Sequence, residues 1–137
     1  MRTCVFCKKE LVTRHQKKFC SSKCQQNLRH KNYIYKWKKN KIDGNRGIVT
    51  RTTSPHLKRY LVDKHGEKCS KCGWNKRNSI TGRVPIELDH IDGNGENNKE
   101  NNLRLLCPNC HSLTPHFRNL NRGNGRKWRK DKYIKHK

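Results

Sequence analysis

The chain has 137 residues, and Lys plus Arg outnumber Asp plus Glu by 34 to 10, for a formal charge of +24. Only 30% of it is hydrophobic and the mean hydropathy is -1.25, which leaves no room for a large apolar core and no run of transmembrane length. A compact state under that much self-repulsion needs a polyanion or bound metal to offset it, and a nucleic-acid backbone is the natural partner.

Eight cysteines supply what the core lacks. No signal-like apolar run follows Met1, so a reducing cytosol is expected, where Cys-x2-Cys pairs favour zinc over disulfides. Cys4-Val-Phe-Cys7 and Cys20-Ser-Ser-Lys-Cys24 stand twelve residues apart. Each pair is expected to form a knuckle, together closing one tetrahedral zinc site packed by Val5, Phe6, Leu11, Val12 and Phe19. Two such sites with four thiolates each still leave about +20 overall.

Ser22 to Asn40 contains neither Pro nor Gly and is expected to be helical. Tyr33 and Trp37 lie one turn apart, as in a packing stripe, while Lys36, Lys38 and Lys39 suit phosphate contacts. Asp43-Gly44-Asn45-Arg46-Gly47 breaks the helix and reads as a linker. Ser54-Pro55 opens a second helix, with Leu57, Tyr60, Leu61 and Lys64 on one face and Gly66 as its stop. Cys69-Ser-Lys-Cys72 follows and pairs with Cys107-Pro-Asn-Cys110, 34 residues on, as a second four-cysteine zinc site. Asn75 to Pro85 is a polar loop.

Between those cysteine pairs the sequence reads Ile86-Glu-Leu-Asp-His90, then a loop crowded with Gly and Asn, then Asn102-Leu-Arg-Leu-Leu106. Two short strands are expected, with a helix starting at Cys107. Phosphodiester hydrolysis needs a base to activate water, an oxygen-binding cation for the leaving group, and in-line geometry. His90 suits the base, because its unperturbed pKa lies near working pH. Asp89 and His111 suit one divalent ion; His111 stands roughly 100° round the helix from Cys110 and can face the hairpin. Asn102 is placed to hydrogen-bond the loop backbone around His90. Glu87 is expected to pair with Arg104 across the sheet. Asp92, followed by Gly93, reads as a turn residue, and Pro115 is expected to end the helix and keep His116 out of the metal site.

Asp89-His90, Asn102 and His111, framed by the cysteines, resemble the HNH endonuclease family. Residues from about Pro55 through Asn121 are similar to its phage and bacterial homing-type subgroup with Cys4 zinc knuckles. The resemblance implies a small α+β, zinc-stabilised fold: a ββα-metal core with an N-terminal zinc knuckle and basic helical or extended arms. The implied division is 1–28 for the knuckle, 29–53 for a basic helix and linker, 54–121 for the nuclease domain and 122–137 for a basic tail. It also implies a single divalent cation, usually Mg²⁺, beside the two structural Zn²⁺, and cleavage of double-stranded DNA to 5′-phosphate and 3′-hydroxyl ends, nicked or cut through. The expected setting is the cytoplasm of a bacterium or phage-infected host, with homing, restriction and packaging roles open. A non-catalytic zinc protein or an RNase shares the composition; the first gives no reason for those four residues to occur in that order. Arg104, Arg118, Arg122, Arg126, Lys127 and Arg129 join the lysines of the first helix as candidate phosphate contacts.

Overall fold

Two backbone turns of one design recur in the chain, each built on a Cys-x2-Cys pair. The computed structural model describes residues 1–47 and 52–123. In the first turn the Lys8 N–H donates to the Cys4 carbonyl at 3.0 Å and the Cys4 N–H to the Lys9 carbonyl at 2.8 Å. In the second, Gly73 donates to Cys69 at 2.9 Å and Cys69 to Trp74 at 2.9 Å. The residue after the second cysteine takes a left-handed conformation in both, φ 65° at Lys8 and 77° at Gly73. Curling the chain this tightly points two sulfurs inward and turns the intervening residues out. That corrects the expected packing of the first site: Val5, Phe6 and Val12 are exposed, Phe19 is half-buried, and Leu11 is the apolar residue that is buried.

The second pair of each set sits at a helix start instead of on another knuckle. Ser21 caps α1 (Ser22–Lys38), its hydroxyl accepting from the Cys24 N–H, so Cys20 and Cys24 flank the cap. Cys107 itself caps α3 (Pro108–Ser112), its sulfur accepting from the Cys110 N–H at 3.4 Å, with Pro108 at the first helical position. All four ligand sulfurs of each set lie within 4.8 Å of one another. Sulfurs around one tetrahedral Zn²⁺ would stand about 3.8 Å apart; Cys72 and Cys107 are at 3.8 Å, and Cys20 is 3.5 Å from both Cys7 and Cys24. No disulfide links them.

The chain forms two compact units, Met1–Ile42 and Asp43–Lys137. The first holds its cysteine cluster and the whole of α1, whose buried residue is Trp37, with Tyr33 half-buried one turn back. Lys36, Lys38 and Lys39 are exposed. In the second unit, Ser54 caps α2 (Pro55–His65), and Leu57 and Leu61 form its buried face. From that helix the Tyr60 hydroxyl and the Lys64 ammonium both reach Glu100 Oε1, at 2.8 and 2.5 Å. Gly66, at φ 87°, ends α2.

The strands β1 (Glu87–His90) and β2 (Leu103–Leu106) pair antiparallel, Glu87 opposite Leu106 and His90 opposite Leu103. Cys69, Leu106 and Cys107 make a small core with Trp74 and Cys110 against it, and the Ser70 N–H donates to Leu105 to tie the knuckle to β2. The residues 43–47, expected as a linker, are docked instead: Ser54 donates to the Gly44 carbonyl, and Asn45 forms an antiparallel bridge with Thr53. Among the described residues no helix is long and apolar enough to cross a membrane.

Loop 91–102 is shaped by its own side chains. Asp92 accepts from the Asn94 N–H, Asn94 from Glu96, and Asn97 from Lys99, a succession of Asx turns. Burial disfavours the Asp92 carboxylate, yet hydrogen bonds from Asn97, the Asn94 backbone and Asn102 outweigh it and hold its pKa below the ordinary value. Gly93 has φ 73°, and a Cβ there would lie 2.5 Å from His116 Cγ. The helix α3 ends at Ser112, short of Pro115.

Two predictions follow from this architecture. Metal analysis of the full chain is expected to give two zinc ions, and Cys69→Ser to remove one and unfold the second unit, read as loss of amide dispersion by NMR. Gly93→Ala is expected to cost about 1–2 kcal/mol in chemical denaturation while zinc content stays at two, since the left-handed backbone strains any Cβ.

Candidate active site and metal centres

Strand alternation sends Glu87 and Asp89 to one face of β1 and Leu88 and His90 to the other. The first face is covered by α3. Asp89 is 6% exposed, and its Oδ2 accepts from Arg104 Nε at 2.7 Å, directly across the sheet. Arg104 therefore serves Asp89, where Glu87 had been expected as its partner. Glu87 instead holds His111 Nδ1, and Leu106 is its neighbour in the register. A carboxylate can only accept here, so neutral His111 carries its proton on Nδ1 and turns the Nε2 lone pair inward. Nε2 lies 3.7 Å from Asp89 Oδ1.

Two acceptor atoms aimed at each other across that gap fit a shared cation. Ligands about 2.1 Å from one divalent ion can stand up to about 4.2 Å apart. Phe117 meets the His111 ring edge-on with centroids 5.3 Å apart, and the Arg118 guanidinium lies 5.0 Å from the Phe117 ring centre. These contacts limit how the imidazole can swing.

On the other side of β1, His90 Nε2 lies 2.8 Å from Asn98 Oδ1. Asn102 does not touch the imidazole through these bonds; it fixes the loop that follows. Its Oδ1 accepts from the Asp92 N–H at 3.0 Å, and its Nδ2 donates to Asp92 Oδ1 and to the Asn97 carbonyl at 2.9 and 2.8 Å. Its own carbonyl accepts from Ile91 at 2.9 Å. Asn102 thus pins both residues after His90.

The structure therefore brings Asp89 and His111 together, places Arg104 behind Asp89, and leaves His90 facing the loop. Glu87, Asn98 and Phe117 were missed as supporting residues. Strand period would have put Glu87 beside Asp89, but nothing in the Asn-rich run distinguished Asn98 from its neighbours. Arg118 and Arg122 are exposed; Arg126, Lys127 and Arg129 lie outside the described residues.

The cysteine clusters differ from this site in chemistry. The backbone N–H of Cys7 draws the Cys4 thiol down to about 6, while the thiols of Cys24 and Cys7 push Cys20 up to about 12. At the second cluster burial opposes ionisation of Cys69, yet backbone N–H groups at Cys107, Cys72 and Lys71 bring it to about 6, and Cys72 pushes Cys110 up to about 12. Four crowded sulfurs cannot all ionise without a cation among them. Each quartet could hold one zinc, with no position left for His111.

No solved structure matches the chain at a significant level. A stretch of 48 residues is 52% identical to the H-N-H endonuclease F-TflIV of Escherichia phage T5, over 35% of this chain. The chain spans about a fifth of that relative's length, the match being 20% of it. The family model for HNH endonuclease matches residues 69–114, from the second knuckle through the end of α3. The segment that carries the second cysteine cluster, the hairpin and His111 is the part that matches the HNH endonuclease family.

Proposed function

We propose that this protein is a metal-dependent DNA endonuclease whose site lies at the β1–α3 junction, a ββα-metal centre. The observation that carries the reading is the pair of inward-facing acceptors, Asp89 Oδ1 and His111 Nε2, 3.7 Å apart beside an ordered histidine. Those two residues would hold one divalent cation, Mg²⁺ being the expected one. Bound there, such an ion supplies Lewis-acid stabilisation of charge on the phosphate and on the departing oxygen. Two protein donors leave the remaining coordination positions for water and substrate, unlike the closed four-sulfur quartets.

His90 acts as general base. It takes a proton from water as the water oxygen bonds to phosphorus; the bond from phosphorus to the 3′-oxygen breaks, and that oxygen is protonated from solvent. The ends left are a 5′-phosphate and a 3′-hydroxyl. In-line displacement requires the nucleophile to enter opposite the leaving group. Asp89 and His90, adjacent in sequence and on opposite faces of β1, suit that requirement. Asn102 positions the base by fixing Ile91 and Asp92, and Arg104 orients Asp89.

The charge of +24 provides the affinity for double-stranded DNA. Lys36, Lys38 and Lys39 at the end of α1, with Arg118 and Arg122 after α3, contact phosphates, and Arg126, Lys127 and Arg129 extend the same role. The chain's kinship to a phage enzyme supports a phage or homing nuclease acting inside a host cell.

Supercoiled plasmid is expected to be nicked or linearised in Mg²⁺ and to stay intact in EDTA. His90→Ala should lower the rate at least about 100-fold, the usual range for a lost general base, with DNA affinity unchanged. Cleavage at the wild-type rate by His90→Ala would sink the proposed mechanism. Replacing Lys36, Lys38 and Lys39 together by Ala should flatten the plot of log affinity against log salt by up to about 2.7, at about 0.9 per lost phosphate contact. An unchanged slope in a filter-binding titration would remove α1 from the DNA interface.

A further inference from the structure

Asn98 is one of the few polar residues the fold buries, at 4% exposure. Its Nδ2 donates to the Asp43 backbone carbonyl at 3.0 Å and to Asn45 Oδ1 at 3.1 Å. A backbone carbonyl only accepts, so the amide cannot be turned end for end without setting oxygen against oxygen. That fixes Oδ1 toward His90 Nε2, at 2.8 Å, where it also accepts from the Thr53 hydroxyl at 3.4 Å. An amide oxygen cannot donate, so His90 Nε2 must carry a hydrogen. In the neutral imidazole the lone pair then resides on Nδ1.

Asp43, Asn45 and Thr53 orient Asn98 from a stretch far earlier in the chain. Gly44 packs so closely that a Cβ there would stand 2.8 Å from Asn98 Cβ and 2.9 Å from Leu57 Cδ1, on a backbone at φ 81°. Only glycine lets the strap lie flat against the asparagine. The strap is closed by the Gly44–Ser54 hydrogen bond and the bridge from Asn45 to Thr53, and so joined to the capped start of α2. Gly44, Asn45, Thr53 and Ser54 lie outside residues 69–114, the part matched to the family, and Asn98 and His90 lie inside it.

We propose that Asn98, clamped by Asp43, Asn45 and Thr53, is a positioning residue that holds His90 in its Nε2–H tautomer and makes Nδ1 the atom that accepts the proton from water. The proposal rests on the reading of His90 as general base. During the reaction the proton lost by water is bound at Nδ1, and Asn98 Oδ1 continues to accept from Nε2–H of the imidazolium. The proton then leaves Nδ1 to bulk water.

The test begins with the wild-type, zinc-loaded full chain. Long-range proton–nitrogen NMR of the His90 ring above its pKa is expected to show a protonated Nε2 and an unprotonated Nδ1; the reverse pattern overturns the proposal without any substitution. Asn98→Ala should yield a mixed tautomer and a kcat about 10–100-fold lower, with KM for plasmid and zinc content unchanged. Asn98→Asp keeps an acceptor for Nε2–H and should retain the tautomer and most of the wild-type kcat. If Asn98→Ala does not fold, the wild-type and Asn98→Asp spectra still decide the matter. A folded Asn98→Ala with wild-type kcat, or the reverse tautomer in Asn98→Asp, overturns the proposal. Wild-type activity in His90→Ala would be a different failure, that of the general-base reading itself.

Discussion

The four sulfurs of Cys69, Cys72, Cys107 and Cys110 are the constraint on which the second unit depends. Its buried apolar residues are few among the described ones: Leu57 and Leu61 of α2, Val84 and Ile86 before β1, and Leu103, Leu105 and Leu106 of β2. So small a core supplies little folding energy, and a bound zinc would supply much of the remainder. The quartet also does geometric work. It joins a knuckle before β1 to the first turn of α3, and α3 carries His111 one residue after its last ligand. A helix of five residues has almost no stability of its own. Its position against β1 comes from the sulfurs at one end and the Glu87–His111 contact along its side.

That separation of duties would let the proposed cation site stand within a few residues of a zinc quartet. Cysteine sulfurs are soft and fully enclose a tetrahedral ion. The Asp89–His111 pair presents one oxygen and one nitrogen and leaves most of a coordination shell open. Adjacent residues Cys110 and His111 face different surroundings because a helix turns roughly 100° per residue. Adjacent residues Asp89 and His90 face different parts of the fold because a strand turns its side chains about 180° per residue. The two periodicities, acting at the junction of one strand and one helix, distribute four neighbours over three environments.

Much of this was legible in the sequence because it depends on local rules. Ser54-Pro55 with Gly66 marked α2 to the residue, and the cysteine spacing marked both quartets. What was not legible depends on non-local closure. The stretch 43–47 has the composition of a linker, and only the loop of Asn98 arriving from far along the chain turns it into a docked strap. Glu87 was assigned to Arg104 by proximity, but the register puts Asp89 opposite Arg104 and leaves Glu87 level with α3. Val5 and Phe6 looked like core residues by type; the knuckle's curvature turns them outward whatever their hydrophobicity. A sequence period says which residues share a face, and it does not say what that face meets.

The two sides of β1 are consequently anchored to different parts of the second unit. Asp89 is held by Arg104 from β2 and meets His111 from α3, so its placement follows the zinc quartet. His90 is held by Asn98, and through it by Asp43, Asn45 and Thr53, so its placement follows the strap that leads into α2. Tyr60 and Lys64 on α2 grip Glu100, two residues beyond Asn98, and bind the loop to that same helix. The hairpin is thus gripped from both faces, and its end can move toward neither without breaking a different set of bonds. In the proposed mechanism, with the cation on one face and the base on the other, the distance across β1 would set the spacing between nucleophile and leaving group. Rigidity at that point is a requirement of the in-line reaction, since a displacement of about 1 Å costs about two orders of magnitude in rate.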